Sequence, residues 1–237
     1  MSISIIIPAY NEEERIEESL NKILVYLKKN KTKYEIIVVD DGSTDNTAKL
    51  VKKFKPSVKV LRNNVNSGKG YSVKKGIENA KYEFILFTDA DLATPINELG
   101  AMLKVLKKGY DVVIASRNLP ESRILTRQPI HRQLSGKTFS LLVRMLLLPG
   151  IKDTQCGFKL FRAAAARRIS KIQTIFRFCF DVEMLYIAKK LGFKIKEVPV
   201  AWVDKKGSRV SLFKDSFSMF IDLIKIKYNG LTGRYKE

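Results

Sequence analysis

Two carboxylates stand one residue apart in the stretch FILFTDADLATP (84–95), where Asp89 and Asp91 follow an apolar run. Carboxylate oxygens suit Mg²⁺ and Mn²⁺, and Mg²⁺ is commonly held by one or two carboxylates together with substrate phosphates and water. A metal held in this way can neutralise a diphosphate leaving group. A surface turn is the alternative, but the position at the end of an apolar strand favours a site for Mg²⁺ or Mn²⁺.

Polar residues also follow other apolar runs of the sequence. YNEEE (10–14) follows the first run, DDGSTDNT (40–47) ends the second, and SRN (116–118) ends a later one. Ligands of parallel α/β sheets bind beyond the carboxyl ends of the strands. The sequence therefore predicts one site that is built from several loops.

Two of the loops differ in the groups that they offer. In DDGSTDNT we expect Asp40 or Asp41 to contact a ligand and Ser43 or Asp45 to cap the next helix. Lys69 lies in the Gly-containing stretch NSGKG before another helix, without the GxxxxGK[ST] spacing of a Walker A motif.

The elements that must carry these loops alternate between strands and helices in the first half of the chain. Five apolar, β-rich runs occupy residues 3–8, 34–40, 58–62, 82–89 and 110–116, and helical patterns lie between them. Runs without polar alternation are typical of strands that are buried on both faces. This predicts an α/β fold with a mostly parallel sheet that is flanked by helices.

The second half is less regular. It contains helical patterns at 134–148, 181–192 and 214–229, a strand or loop at 153–162 and a strand-like run at 193–202. Because no linker-like stretch divides the chain, we expect a single domain over residues 1–237.

The charge of the chain is strongly positive. Its 237 residues carry 44 Lys and Arg against 24 Asp and Glu, a net charge of +20, and most of the excess lies in residues 121–237. The positive excess has two explanations: a lysine-rich soluble surface, or an anionic partner that faces the second half of the chain. Two cysteines and one histidine argue against a disulfide framework and a histidine-rich metal site. We expect no signal peptide and no membrane span, since no run reaches about 18 apolar residues.

Four motifs in the first half resemble those of the family 2 glycosyltransferases, which have the Rossmann-like GT-A fold. They are ISIIIPAYNEEERI, IIVVDDGSTDNT, NSGKGYSVKKGI and FTDADLATP, in the family's order. The resemblance implies a donor half at residues 1–117, in which Asp89 and Asp91 hold the metal on a diphosphate. Carried over position by position, the nucleotide-sugar contacts would be Pro8, Ala9, Tyr10, Glu12, Asp40, Asp41, Lys69, Asp89, Ala90 and Asp91.

The second half, residues 118–237, resembles the dolichyl-phosphate β-glucosyltransferases and their prokaryotic relatives. The resemblance lies in HRQLSGKTFSLLVRMLLLPGIKDTQCGFKLF, FRFCFDVEMLYIAKKLGFKIKEVPVAW and GSRVS. It implies transfer of glucose from UDP-glucose to a polyprenyl (dolichyl) phosphate. A polyprenyl-phosphate mannosyltransferase that uses GDP-mannose, or a family 2 enzyme with another acceptor, is the alternative. Ala93 stands where many relatives have a metal-binding Gln, so water or phosphate would complete the metal's shell.

A lipid phosphate acceptor would explain the arginines of this half. A phosphomonoester has a second pKa of about 6, so it is already an anionic nucleophile and needs cationic positioning rather than a general base. Arginine's planar fork suits phosphate, although a solvated surface charge is the alternative for each arginine. The expected acceptor-phosphate ligands are Arg117, Arg132, Ser135, Ser208 and Arg209, with Arg123 and Arg127 in the same loop.

Asp181 completes the expected catalytic set with Asp91 and Arg117. In FCFDVE it resembles the position where hydroxyl-accepting relatives place their base, and here it would orient the acceptor or a sugar hydroxyl. A helix N-cap is the alternative, because Asp181 opens a helical pattern.

The last helical pattern has a broad apolar face. It comprises Phe217, Phe220, Ile221, Ile224 and Tyr228, widened by Met219, Leu223 and Ile226. With lysines nearby, such a face fits a membrane-proximal helix, as does 134–148, and packing on the domain's own core is the alternative. We expect peripheral contact with an anionic membrane at its cytoplasmic face.

Two other classes of function compete with this one. A nucleic-acid-binding module would use the positive charge, but no aromatic stacking motif accompanies it, so we expect no nucleic-acid partner. A non-catalytic membrane scaffold would leave the full set of donor motifs unexplained.

Overall fold

The computed structural model describes residues 2–126, 128–205 and 214–236, with the side chains of 214–217 left out. Strands and helices alternate in the first half, as the sequence predicts. The elements are β1 (Ser2–Ala9), α1 (Ile16–Lys29), β2 (Lys33–Asp40), α2 (Thr47–Lys52), β3 (Val58–Arg62), α3 (Lys69–Asn79), β4 (Phe84–Thr88), a 3₁₀ turn (Ile96–Glu98), α4 (Leu99–Lys107) and β5 (Val112–Ser116).

The second half adds helices and shorter strands. They are β6 (Arg123–Thr126), α5 (Ile130–Leu146), β7 (Phe158–Arg162), α6 (Ala163–Ile172), α7 (Phe180–Lys190), β8 (Ile195–Pro199), β9 (Ala201–Val203) and α8 (Lys214–Leu231). The strand-or-loop stretch at 153–162 is a strand over its second half. The sequence analysis did not predict α6, although its run of alanines is a strong helix-forming signal.

Within the described residues, seven strands form the central sheet in the order β3-β2-β1-β4-β7-β5-β8. All neighbours are parallel except β7, which runs antiparallel to both β4 and β5. The α/β class and the mostly parallel sheet are confirmed. The antiparallel insertion of β7 was not predicted. It places the residues that precede Phe158 beside the carboxyl end of β4.

Helices cover both faces of the sheet because alternate side chains of a strand point to opposite faces. In β1, Ile3, Ile5 and Ile7 pack with α1 and α4, whereas Ile6 packs with α3 and α7. All four are fully buried, and each such side chain contributes about 1.5–3 kcal/mol of hydrophobic stabilisation. Burial on both faces explains why the strand runs lack polar alternation.

The sheet opens at its centre. β1 pairs with β2 as far as Ala9 and Asp40, but with β4 only as far as Ile6 and Phe87. Pro8 has no N–H with which to extend a ladder. The strand order also reverses between β1 and β4, and this is the switch point where ligands bind in open α/β sheets.

Helix α8 has two apolar faces rather than the single widened face that the sequence analysis predicted. Met219, Leu223 and Ile226 are buried against the core. The opposite row is 41–74% exposed and consists of Phe220, Ile221, Ile224, Tyr228 and Leu231. Core packing and an exposed apolar face therefore occur on the same helix.

Helix α5 lies beside α8 and is exposed over most of its length. The Nζ of Lys227 on α8 donates a hydrogen bond to the carbonyl of Leu146 at 3.0 Å. The exposed apolar side chains of α5 are Ile130, Leu134, Leu141, Met145 and Leu146. Among the helices that the structure describes, none combines the length and the apolar character needed to cross a bilayer.

Candidate active site

A tight turn after β4 carries the two carboxylates of Asp89 and Asp91. The N–H of Leu92 donates to the carbonyl of Asp89 at 3.2 Å, and the N–H of Ala93 donates to Oδ1 of Asp91 at 3.0 Å. Leu92 has φ +49°, in the left-handed region that non-glycine residues rarely adopt. Backbone strain of this kind often occurs at functional sites.

Gly157 makes room for the Asp89 side chain. The N–H of Asp89 donates to the carbonyl of Gly157 at 3.0 Å. A Cβ at position 157 would lie only 2.0 Å from Oδ2 of Asp89, so a larger residue would displace the carboxylate. The sequence analysis gave Gly157 no role, although it lies in the quoted stretch DTQCGFKLF.

Lys69 reaches the same carboxylate from the start of α3, with Nζ 2.7 Å from Oδ1 of Asp89. Burial alone would lower the pKa of Lys69, but Asp89, Asp181 and Asp91 raise the pKa above its ordinary value. The ammonium is therefore firmly charged, and it is placed to neutralise an anionic ligand at this end of the sheet.

The Asp89 and Asp91 carboxylates fit a hard divalent cation whose remaining coordinating ligands come from other groups. Burial raises the pKa of Asp91, and the nearby charge of Asp89 raises that pKa further. A cation would relieve this repulsion. The Oδ1 of Asp89 accepts no aligned hydrogen bond, and its close contact is the ion pair with Lys69. No cluster of three or more His, Cys, Asp or Glu able to hold a metal occurs among the described residues, so a cation held by the two carboxylates would take its other ligands from phosphate or water.

The loops after β1 and β2 are joined to each other. The N–H groups of Asn11 and Glu12 donate to Oγ of Ser43 and Oγ1 of Thr47 at 2.9 and 2.7 Å. The Glu12 carboxylate forms an ion pair with Arg15 at 2.6 Å. This places the predicted residues Pro8, Ala9, Tyr10 and Glu12 along one edge of the opening, with Asp40 at the end of the neighbouring strand.

Asp40 and Asp41 have different surroundings. Asp41 is buried, and its carboxylate accepts hydrogen bonds from the side chain of Asn63 and the backbone N–H groups of Ser67 and Gly68. It thus shapes the loop that presents Lys69. Asp40 accepts from the N–H of Ser43 through Oδ1, and its Oδ2 lies 3.1 Å from Nε of Arg62.

The Lys69 loop is held from its other side by residues 173–176. The N–H of Gly70 donates to the carbonyl of Phe176 at 2.8 Å, and the side chain of Gln173 donates to the carbonyl of Gly70. Gly68 has φ +101°, and a Cβ there would lie 2.3 Å from the Phe176 carbonyl oxygen. Lys69 therefore projects from a rigid support.

Arg117 follows β5, as predicted, and it is held by a carboxylate that the sequence analysis did not identify. Its Nε and Nη2 donate to the two oxygens of buried Asp153 at 2.7 and 2.9 Å. Its guanidinium also lies over the Trp202 ring. Burial alone would lower the pKa of Arg117, but Asp153 and more weakly Asp89 raise that pKa. Two of its five donors are used, and the side chain remains 26% exposed.

The other predicted acceptor ligands are less closely associated. Arg132 and Ser135 lie in the first turns of α5, where Oγ of Ser135 donates to the carbonyl of Arg132. Within the described chain, neither side chain joins the Lys69–Asp89 group by a hydrogen bond or ion pair. Ser208, Arg209 and also Arg127 lie outside the described residues.

Asp181 is the second residue of α7 and not its N-cap. The N-cap is Cys179, which has no side-chain cap hydrogen bond, so the capping interpretation is wrong. The Asp181 carboxylate instead contacts the ammonium of Lys159 on β7. Lys159, which lies within GFKLF, was not predicted as a functional residue from the sequence.

Comparison with known proteins places the chain in a family. Residues 4–170 match the model of Glycosyl transferase family 2. The dolichyl-phosphate beta-glucosyltransferase of Dictyostelium discoideum is 39% identical over 249 residues, covering 99% of this chain and 76% of that protein. The Homo sapiens protein of the same name is 35% identical over 250 residues, covering 99% and 77%.

Solved structures agree with the fold. Glucosyl-3-phosphoglycerate synthase from Mycobacterium tuberculosis in complex with UDP has a TM-score of 0.72 at 19% identity, over 96% of this chain and 80% of that one. The same synthase with Mn²⁺, UDP-glucose and phosphoglyceric acid has a TM-score of 0.70 at 17% identity, with the same coverage. The strand-end motifs, the GT-A architecture and the full-length similarity agree, and the chain belongs to glycosyl transferase family 2.

Proposed function

We propose that this glycosyltransferase moves glucose from UDP-glucose to the phosphate of a dolichyl or related polyprenyl phosphate. The observation that carries the proposal is the similarity, over 99% of the chain, to proteins named dolichyl-phosphate beta-glucosyltransferase. The arrangement of charged groups around the open end of the sheet supports it. Residues 1–117 form the donor half, and residues 118–237 form the acceptor half of a single domain.

The donor binds where β1 and β4 separate. The nucleotide is held by Pro8, Ala9, Tyr10, Glu12, Asp40, Asp41 and Ala90. Support comes from the hydrogen bonds that fix the two loops against each other. Lys69, on its rigid loop, faces the anionic diphosphate.

A divalent cation, Mg²⁺ or Mn²⁺, is held by Asp89 and Asp91, and when bound it neutralises charge on the diphosphate leaving group. Mn²⁺ accompanies UDP-glucose in a solved structure of similar fold. Lys69 adds a fixed positive charge beside Asp89. The loop does not need to reorganise for this charge to stabilise the leaving group.

The acceptor phosphate is bound by Arg117, with Arg132, Ser135, Ser208 and Arg209 completing the site. Asp153 fixes the plane of the Arg117 guanidinium and leaves three of its N–H donors unused by this pair. An oxygen of the phosphate forms the bond to the anomeric carbon as the bond from that carbon to the UDP oxygen breaks. A single displacement of this kind inverts the anomeric configuration, and the acceptor dianion needs no general base.

The polyprenyl chain brings the enzyme to the cytoplasmic face of a membrane. The exposed apolar rows of α5 and α8 suit the interfacial zone of a bilayer. Exposed Lys137, Arg144, Lys225 and Lys227 on the same helices suit anionic headgroups.

A transfer assay with labelled nucleotide sugars tests the proposal. We expect labelled lipid from UDP-glucose and a short polyprenyl phosphate, stimulated by Mn²⁺ or Mg²⁺ and abolished in Asp91→Ala. GDP-mannose is the matched alternative donor. Labelling of a soluble or protein acceptor in place of the lipid, or preference for GDP-mannose, would contradict the proposal.

A further inference from the structure

Lys159 lies at an unusual place for a lysine. It is the second residue of β7, paired in register with Phe87 of β4 and Ile114 of β5. Its side chain is 0% exposed. An ammonium group that leaves water in this way costs several kcal/mol unless hydrogen bonds and opposite charge compensate for the loss.

The contacts of Lys159 compensate for that cost and leave little of the ammonium for a substrate. Its Nζ donates to the Asp181 carboxylate and, at 2.7 Å, to the carbonyl of Cys156. It also lies 5.6 Å from the centre of the Phe87 ring. Because the group is enclosed by protein, its influence on a ligand must pass through Asp181.

Asp181 lies near enough to Lys69 for its charge to raise the pKa of that lysine. Lys69, the partner of Asp89, lies 5.5 Å from the centre of the same Phe87 ring that Lys159 contacts. Two ion pairs, Lys69 with Asp89 and Lys159 with Asp181, therefore have their ammonium groups near one ring. Burial raises the pKa of Asp181 above its ordinary value, and the Lys159 and Lys69 charges oppose that rise only in part.

Asp181 is buried, with 4% of the residue exposed, and one of its carboxylate oxygens has no hydrogen-bond donor in the described part of the chain. Among the described residues, only Lys159 donates a hydrogen bond to this carboxylate, through Oδ1. An ionised carboxylate accepts hydrogen bonds but cannot donate them. The diphosphate and the acceptor phosphate are anions that it repels, whereas the hydroxyl groups of a sugar nucleotide can donate hydrogen bonds to it.

We propose that Lys159 is a positioning residue: it holds the Asp181 carboxylate in one orientation, as a hydrogen-bond acceptor for a hydroxyl of the transferred sugar. This rests on the proposed function, because the sugar is the one carried by the nucleotide donor. Stability alone does not account for the pair, since buried ion pairs can often be replaced by apolar residues without loss of stability.

Three variants test the role of Lys159 against a merely structural one. Lys159→Met removes the charge, and Lys159→Arg keeps it. Arg162→Met is the matched control, because Arg162 lies at the other end of β7 and donates to the carbonyls of Tyr110 and Leu106, away from Asp181. For each variant, kcat, the KM for UDP-glucose and the thermal midpoint are measured beside the wild type.

We expect Lys159→Met to lower kcat about 10–100-fold, the size of effect that misplacement of a positioned group by about 1 Å produces. The KM for UDP-glucose should change only about threefold or less, since nucleotide contacts are intact. Lys159→Arg should recover a substantial part of kcat, and Arg162→Met should lower the thermal midpoint with kcat unchanged. The rate of UDP release from UDP-glucose in the absence of acceptor should rank the three variants in the same order as kcat.

The proposal is overturned if Lys159→Met keeps the wild-type kcat, or if Lys159→Arg and Lys159→Met lose kcat equally. If the wild type glucosylates no polyprenyl phosphate, the proposed function fails instead, and the UDP-release series still decides the role of Lys159.

Discussion

Loss of the Asp153 carboxylate should both destabilise the protein and loosen Arg117. In Asp153→Asn the side chain keeps its shape, but an amide replaces the carboxylate that accepts from Nε and Nη2 of Arg117 and from its backbone N–H at 2.7, 2.9 and 2.8 Å. Removing one member of a buried ion pair costs about 3–5 kcal/mol, because the other charge is left uncompensated. Arg117 is 26% exposed, so water offsets part of the loss, and we expect about 2–3 kcal/mol.

Thermal unfolding followed by circular dichroism measures this cost. A change of 1 kcal/mol shifts the midpoint by about 2–4 °C in a domain of this size, so Asp153→Asn should unfold about 4–12 °C below the wild type. Asp111→Asn is the control, because Asp111 accepts one backbone hydrogen bond from Lys194 near the other end of β5 and forms no ion pair in the described chain. It should lower the midpoint by about 1–4 °C, as expected for one net hydrogen bond.

The same variant separates positioning from stability. Once Arg117 is no longer fixed, the KM for polyprenyl phosphate should rise about tenfold, as the loss of roughly 1.4 kcal/mol of binding free energy implies, while the KM for UDP-glucose stays near the wild-type value. If Asp153→Asn has the thermal midpoint of the wild type, or the wild-type KM for polyprenyl phosphate, the role proposed for the Arg117–Asp153 pair is refuted.

Three further predictions follow from acid titration, Gly157 and α8. Burial would raise the pKa of Asp153, but Arg117 lowers that pKa below its ordinary value. The stabilisation of the folded protein by ionised Asp153 is therefore complete above the unfolded pKa of about 3.9. It is lost as the pH falls through the lower folded pKa, so the stability gap between wild type and Asp153→Asn should narrow in acid. Gly157→Ala should displace the Asp89 carboxylate, and calorimetry should show Mn²⁺-dependent UDP binding weakened by about tenfold or more; unchanged binding would contradict this. Ile224→Glu and Tyr228→Glu should each reduce sedimentation with anionic vesicles about tenfold or more, because each variant loses ~1.5–3 kcal/mol of apolar burial in the bilayer. Equal binding of the wild type to neutral and anionic vesicles would contradict the role of charge.

The sequence predicts the donor half well because its signals are local. The apolar runs at 34–40 and 58–62 agree with β2 and β3 to within one residue, since a strand that is buried on both faces is recognised from its own composition. The positions of Asp89, Lys69 and Asp40 at strand or helix ends follow from the same pattern, and the fold brings them to one opening of the sheet.

The residues that the sequence analysis missed act through partners that lie far away along the chain. Lys159 alternates with apolar residues in GFKLF and resembles an outward-facing strand lysine; its burial arises only because β7 is inserted between β4 and β5. Asp153 is 36 positions from Arg117, and no spacing rule joins them. Helix α8 shows the same limit, because periodicity identified its apolar residues but not which of them meet the core.

The structure of the lipid product tests the central claim most directly. The product made from UDP-glucose and a polyprenyl phosphate would be isolated and analysed by mass spectrometry and NMR. We expect one glucose on the lipid phosphate, with the anomeric configuration opposite to that of the donor and one UDP released per glucose transferred. Release of UDP without glucosylated lipid, or a product that retains the donor configuration, would contradict it.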